Sequence, residues 1–185
     1  EVVKVEGWRR GAWFDATLLP WVNPSPNMRS LTQAALYPAI GLIEACDVSV
    51  GRGTDTPFER LGAPWIDGLK LAARLNALPL KGVRFVPFQF TPNASKFKDQ
   101  VCGGVQVLLT DRDAFDPLET GLAIVWELKD LFGENFDIDR VDRLLFGKAV
   151  VEAVKTGDAP LGYARLWQQD LEEFVQRRTK YLLYE

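Results

Sequence analysis

The segment from Pro24 to Asp67 constrains the fold most, because it is too polar and too rich in glycine and proline to be ordinary core. At its centre the sequence reads SVGRGTDTPFE, in which Arg52 lies between two glycines. Flanking glycines permit positive φ and let backbone N–H groups approach a ligand closely. Arginine, hydroxyl, carboxylate and aromatic side chains also crowd this segment, and together they predict a polar binding pocket.

Apolar residues at helical spacing, bounded by capping residues, predict the helices of the chain. Ser30 and Asp67 are suitable N-caps, and Pro79, Gly133 and Gly157 are suitable stops. The predicted helices cover residues 31–37, 68–78, 118–132, 139–146, 148–155 and 163–178. The last helix is expected to bury Leu166, Trp167, Leu171 and Phe174.

Runs rich in β-branched and aromatic residues predict strands at 2–5, 40–50, 83–90 and 104–110. The last two are bounded by glycine or proline and are expected to pair. With 185 residues and no internal repeats, the chain is predicted to form one domain. Its fold class is predicted to be α+β, with a small mixed β-sheet and helices packed mainly on one face.

The charge distribution and the apolar runs exclude two classes of partner. Lys and Arg number 22 against 25 Asp and Glu, and the two signs are interspersed, so the net charge is −3. Nucleic acid is a poor partner for such a chain, because phosphate binding needs a clustered positive excess. The longest apolar runs are much shorter than the roughly 20 residues of a transmembrane helix, so no membrane span is predicted.

The chain contains no histidine, which removes Ser-His-Asp and Cys-His nucleophilic sites and the common zinc sites. Two buried thiols are favoured over one disulfide for Cys46 and Cys102, since both lie in apolar surroundings. Asp111, Asp113 and Asp116 lack the Gly and Glu of a calcium loop and are read as a surface loop. No metal or cofactor site is therefore predicted.

Carboxylates, tyrosine and lysine remain for proton chemistry, and carboxylate pairs are the usual machinery for cleaving glycosidic bonds. Glu44 lies inside a predicted apolar strand, where an unpaired charge is costly, so it should have a partner. A structural ion pair and a catalytic role both stay open for Glu44. Glu59 follows a predicted turn and either caps the next segment or contributes to the pocket.

Several further side chains of the segment fit sugar binding. Thr54 offers a hydroxyl and Asn27 an amide, while Tyr37, Phe58 and Trp65 offer aromatic faces on which a pyranose can stack. Two alternatives stay open. Asn27 lies beside prolines and can be a turn residue, and Trp65 can belong to the core or to a domain interface.

A set of ordered motifs resembles a known family. The motifs are PSPNM, a following YP, SVGRGT, TPFE, GAPW, FVPFQFT, CGGVQVLLTD and the closing Arg178–Tyr184 segment RTKYLLY. In this order they resemble the C-terminal half of the YbbC/NamZ-type exo-β-N-acetylmuramidases, which act in bacterial peptidoglycan recycling. The resemblance covers essentially the whole chain.

The resemblance implies a two-domain glycoside hydrolase that releases terminal N-acetylmuramic acid. Residues 1–185 match the C-terminal, substrate-cleft domain, and the catalytic carboxylate is expected in an N-terminal Rossmann-like domain that is absent from this chain. The isolated chain is therefore expected to be inactive. Its expected partners are a muramic-acid-containing saccharide and that N-terminal domain, and its expected location is periplasmic or extracellular.

Within this family reading, Arg52 is expected to recognise the lactyl carboxylate of N-acetylmuramic acid, or to orient the carboxylate of the neighbouring domain. The alternative is a structural turn in which Arg52 pairs with Glu59 or Glu44. Two other function classes also stay open, a non-catalytic carbohydrate-binding module and an interaction domain. An exposed apolar patch around Trp8, Trp13 and Trp21 would favour the hydrolase, because it would mark the seat of the partner domain.

Overall fold

The computed structural model describes residues 1–184 of the chain. In this part of the chain the helices are α1 (Leu31–Ile40), α2 (Gly68–Ala77), α3 (Pro117–Phe132), α4 (Asp142–Leu145), α5 (Lys148–Thr156) and α6 (Gln168–Arg178). The strands are β1 (Arg60–Ala63), β2 (Val83–Phe90) and β3 (Cys102–Leu109). Short 3-10 turns precede or follow several of the helices.

The strands form one three-stranded sheet in the order β1-β3-β2. The predicted α+β class is confirmed, and so is the pairing of the two β-rich runs. The sheet was expected to be mixed, whereas both of its pairings are antiparallel. For β2 and β3 the reason is local, because they follow each other through one loop, and such a connection joins antiparallel strands without a crossover.

Helices cover the inner face of the sheet, as predicted. Asp67 caps α2 by accepting hydrogen bonds from the backbone N–H groups of Leu69 and Lys70, at 3.0 and 3.1 Å. The apolar side of α2 then packs on the sheet, and α3 lies behind it with residues 120–128 all buried. The core between these layers includes Leu61, Leu71, Leu75, Phe85, Val105, Val107, Leu122 and Leu128.

Two predicted strands are wrong. Residues 2–5 have no regular structure. The run from Ile40 to Val50 contains the end of α1, the 3-10 turn Gly41–Ile43 and a series of bends. Leu36, Ile40 and Ile43 are fully buried, and their spacing of four and then three residues is that of one side of a helix. The burial of this helical stripe explains why the segment does not form the strand that the alternation of its apolar residues suggested.

The last predicted helix is divided, and its predicted buried stripe is wrong. A 3-10 turn covers Tyr163–Leu166, and α6 follows it. No residue of α6 is buried, and Leu171 and Phe174 are 45% and 47% exposed. Trp167 alone of the predicted stripe packs against the core. The amphipathic pattern correctly predicts a helix here, but it does not show whether another part of the protein covers the apolar side of that helix.

Cys46 and Cys102 are buried free thiols, which confirms the prediction of two thiols. Burial raises the pKa of the Cys46 thiol to about 12. No helix among residues 1–184 is both long enough and apolar enough to cross a membrane.

Candidate functional site

The loop between the 3-10 turn after α1 and the start of β1 is held in place by its backbone. Gly51 and Gly53 have φ values of 79° and 81°, which confirms the positive φ that the flanking glycines suggested. A Cβ on Gly53 would lie 2.5 Å from the backbone N and O of Ala94. Ser49 and Gly62 exchange two backbone hydrogen bonds of 2.8 and 2.9 Å. The loop is therefore fixed against β1 on one side and against residues 92–95 on the other.

Arg52 projects from this loop and is half-buried. Its Nε–H donates to the Oε1 of Glu44, and the two side chains form an ion pair. The guanidinium carbon lies 5.1 Å from the centroid of the Phe58 ring. The sequence left both Glu44 and Glu59 open as partners of Arg52, and in the structure the partner is Glu44. The Nε edge of the guanidinium is thus occupied, while its two Nη groups form no hydrogen bond within residues 1–184.

Glu44 follows the 3-10 turn after α1, not a strand. The expectation that it needs a partner is confirmed by the ion pair with Arg52. The Nζ of Lys96 donates to the carbonyl oxygen of Glu44 at 2.5 Å and to that of Cys46. Burial lowers the pKa of Lys96. A cavity of about 110 Å³ lies among these groups and is lined by Glu44, Val48, Ser49, Val50, Arg52, Ser95 and Lys96.

Two aromatic residues complete this cluster. Phe58 is buried, and the exposed Tyr37 meets it edge to face with the ring centroids 4.7 Å apart. Arg52 and Tyr37 therefore border the same buried ring. A ligand at this surface would touch Tyr37 and Arg52 directly, while Phe58 would support both from below.

Thr54 and Glu59 use their polar atoms within the loop. Thr54 Oγ1 donates to the carbonyl oxygen of Gly51 at 2.7 Å, which closes the turn around Arg52. Glu59 Oε1 accepts a 3.0 Å hydrogen bond from Nε2 of Gln33, a buried residue of α1. Both residues position the loop in this structure, and their roles as ligand contacts stay predictions.

Asn27 and Trp65 are not part of the Arg52 cluster. Asn27 lies in a turn, where its backbone N–H donates to Ser25 Oγ at 3.2 Å. Trp65 packs against Phe132 of α3, with the ring centroids 5.7 Å apart. These positions match the turn and packing alternatives that the sequence left open. The structure thus brings together Tyr37, Glu44, Arg52 and Phe58, links Glu59 to them through α1, and leaves Asn27 and Trp65 elsewhere.

Sequence reasoning missed Arg60, the first residue of β1. Its half-buried guanidinium lies over Phe88 and Phe90, with the guanidinium carbon 4.6 and 5.8 Å from the ring centroids. Burial lowers the pKa of Arg60, against the opposing effect of Glu59 and Asp55. In the sequence FVPFQF, the alternation of a strand places Phe88 and Phe90 on the same side, and this pattern could have indicated the site.

Of the tryptophans near the start of the chain, Trp8 is exposed and Trp13 and Trp21 are half-buried. Trp8 meets Tyr184 edge to face at 4.8 Å, and the indole of Trp13 donates to Asp113 at 2.6 Å. Trp21 Nε1 donates to the carbonyl oxygen of Met28 at 3.3 Å. The strongly exposed apolar residues around them are aliphatic: Val2, Val3, Val5, Leu18, Leu19 and Val22.

The acidic residues 111–116 form the surface loop that was predicted. Asp111 Oδ1 accepts from the backbone N–H groups of Asp113 and Ala114, and Asp116 caps α3. Among residues 1–184, no group of three or more Cys, Asp or Glu side chains is arranged to hold a metal ion.

Comparisons with known proteins place the chain among related sequences. Residues 35–184 match the family described as "Exo-beta-N-acetylmuramidase NamZ, C-terminal", and residues 1–32 match the corresponding N-terminal family. The chain is 40% identical over 186 residues to the peptidoglycan beta-N-acetylmuramidase NamZ of Bacillus subtilis (strain 168). That match covers 99% of this chain and 45% of the relative.

Two solved structures from Bacteroides fragilis NCTC 9343, both DUF1343 family proteins, have the same fold. One matches with a TM-score of 0.86 and 28% identity, over 97% of this chain and 49% of its own. The other matches with a TM-score of 0.68 and 25% identity, over 88% and 44%. The chain thus spans about half the length of the proteins it matches. On the family match and the identity to the Bacillus subtilis relative, the chain belongs to the NamZ family of exo-β-N-acetylmuramidases.

Proposed function

We propose that this chain forms one wall of the substrate cleft of a peptidoglycan-sugar hydrolase that releases terminal N-acetylmuramic acid. Family membership supports the reaction class, and the Bacillus subtilis relative is named a peptidoglycan beta-N-acetylmuramidase. Because the chain covers less than half of that relative, the activity is proposed for a two-domain protein. By this we mean the chain joined to a complete N-terminal NamZ domain, which we propose to be Rossmann-like and to carry the catalytic carboxylate.

The observation that carries the proposal is the cluster of Tyr37, Glu44 and Arg52 on a fixed loop. It combines an exposed aromatic ring, hydrogen-bond donors and a carboxylate acceptor within one small surface. A pyranose offers hydroxyl groups and an apolar ring face, and N-acetylmuramic acid adds an acetamido group and a lactyl carboxylate. Since Glu44 already offsets the charge of Arg52, we propose that the Nη groups bind hydroxyl or acetamido oxygens. The expected contact of Arg52 with a carboxylate stays a prediction.

The test is Arg52→Ala in the two-domain protein, assayed with 4-nitrophenyl β-N-acetylmuramic acid. Losing charged hydrogen bonds to the substrate should lower kcat/KM about tenfold to a hundredfold. Arg84→Ala is the matched control, because Arg84 is an exposed arginine of β2 outside the cluster. Unchanged kinetics of Arg52→Ala would show that the cluster does not face the substrate.

Two further results separate this function from the alternatives. If the two-domain protein hydrolyses no muramic-acid glycoside but calorimetry detects sugar binding, the chain is a carbohydrate-binding module. If Glu44→Gln abolishes hydrolysis while folding and sugar affinity are kept, Glu44 is catalytic and the chain is more than a cleft wall.

We also propose a periplasmic or extracellular location, which cell fractionation tests.

A further inference from the structure

Arg60 lies on the outer face of the sheet, the face opposite α2. The antiparallel register aligns Arg60 of β1 with Gln106 of β3, and Gln106 with Val86 of β2. Phe88, two residues further along β2, is on the same face and is 38% exposed. This face therefore presents a guanidinium, an amide and an aromatic ring side by side.

The aliphatic stem of Arg60 packs against Gly51, in the loop that carries Arg52. A Cβ added to Gly51 would lie 2.7 Å from Cγ of Arg60, so the glycine leaves the space that this stem occupies. Arg52 is the next residue after Gly51. Arg52 and the stem of Arg60 are therefore linked through this one glycine of the loop.

Arg60 differs from the other half-buried arginines in having no carboxylate partner. The other four half-buried arginines within residues 1–184 all form ion pairs: Arg52, Arg74, Arg112 and Arg140. No Asp or Glu of this part of the chain lies within 4.0 Å of the Arg60 guanidinium, and its buried Nε lacks a hydrogen-bond partner there. A partly desolvated guanidinium that contacts no carboxylate is costly, even with Glu59 and Asp55 at longer range. Phe88 and Phe90 hold it in place but do not neutralise it.

We propose that Arg60 is the group that binds the carboxylate of an acidic sugar, which is the lactyl carboxylate if the ligand is N-acetylmuramic acid. Phe88 holds the guanidinium flat, so that its outer Nη edge can meet the carboxylate in a bidentate pair. Arg52, already paired with Glu44, serves the neutral groups of the same sugar. This inference rests on the proposed function and assigns the preference for muramic acid over glucosamine to one residue.

The test compares N-acetylmuramic acid with N-acetylglucosamine, which lacks the lactyl carboxylate, by calorimetry on the two-domain protein. Arg60→Gln should weaken binding of N-acetylmuramic acid about tenfold to a hundredfold, which is the usual effect of losing a charged hydrogen bond, and change N-acetylglucosamine binding less than twofold. Arg84→Gln, on the same strand face as Phe88, should change neither. Arg52→Ala should weaken both sugars alike.

The outcomes distinguish the two proposals. If Arg60→Gln keeps its affinity for N-acetylmuramic acid, or loses both sugars equally, the Arg60 assignment is overturned while the hydrolase remains. If the unmodified protein neither binds N-acetylmuramic acid nor cleaves its glycosides, the proposed function fails and the assignment fails with it. Should Arg60→Gln not fold, Arg60→Lys keeps the charge but loses the planar fork, and it should still show a selective loss for the acidic sugar.

Discussion

Replacing Arg74 should destabilise the protein through the carboxylate that it leaves behind. Glu127 of α3 is paired with Arg74 of α2, with Oε2 and Nε 3.0 Å apart, and their side chains are 2% and 42% exposed. Oε2 nevertheless has no aligned hydrogen-bond partner among residues 1–184, so the ion pair satisfies it incompletely. Burial accordingly raises the pKa of Glu127, although the guanidinium of Arg74 opposes the shift.

The size of the effect follows from this geometry. Breaking a buried ion pair costs about 3–5 kcal/mol, because one charge stays buried without its partner. We expect the low end, about 3 kcal/mol at pH 7, for Arg74→Met, because Arg74 is half exposed and water can enter where its head group was. Methionine retains the apolar stem. For a domain of this size, Tm should fall by roughly 6–12 °C.

The loss should also depend on pH. A carboxyl group whose pKa is higher in the folded than in the unfolded protein binds protons preferentially in the folded state. Its contribution to stability therefore falls as pH rises from the ordinary value of 4.5 through the raised folded value. Without Arg74 that folded value rises further. The difference between Arg74→Met and the unmodified protein should be large at pH 7 and small at about pH 4, where the carboxyl is largely protonated in both states.

Urea unfolding followed by circular dichroism at both pH values measures this difference, since urea does not screen charges as guanidinium chloride does. Glu127→Gln in the Arg74→Met background removes the buried charge and should restore most of the lost stability. An equal loss at the two pH values, or a loss below about 1 kcal/mol, would refute the reasoning.

Three other predictions concern the loop, α6 and the thiols. Gly53→Ala should lower the free energy of unfolding by about 2 kcal/mol, because it combines positive φ with a backbone clash; Gly11→Ala, which has open space for a methyl group, is the control in urea unfolding. Phe174→Ser should change the stability of this chain by less than about 0.5 kcal/mol, whereas Leu122→Ala in the core should cost about 3 kcal/mol in the same assay; a large loss at Phe174 would contradict its exposure. Cys46 should react with a thiol reagent at pH 8 only after unfolding, because the folded thiol is buried and has a pKa of about 12; rapid labelling of the native chain would contradict this.

Local chemistry made parts of the fold predictable. Asp67 and Asp116 are N-caps whose side chains must accept backbone hydrogen bonds, and both begin helices. The positive φ at Gly51 and Gly53 follows equally from residue type. The run from Val83 to Phe90 is predictable as a strand because its β-branched and aromatic residues are bounded by a glycine on one side and a proline on the other.

The remaining features depend on contacts between distant segments. Ile40 and Ile43 fit a strand or a helical turn, and their packing with Leu36 decides between the two. Arg60 lies in a strand of four residues and meets Phe88 only through the shared neighbour β3. The choice of Glu44 over Glu59 as the partner of Arg52 likewise requires the loop path, which short-range patterns do not contain.

The anchoring of the Arg52 loop bears on the thermodynamics of ligand capture. Its hydrogen bonds to Gly62 and Asn93, and the close approach of Gly53 to Ala94, hold the loop backbone in one conformation. Ordering a flexible loop and its side chains would consume part of the interaction free energy, about 0.5–1.5 kcal/mol for each immobilised side chain. For the proposed sugar site we therefore expect the entropy loss on association to be confined largely to the ligand and to the side chains of Tyr37 and Arg52. Weak polar contacts with a small, strongly hydrated sugar can then yield a measurable affinity.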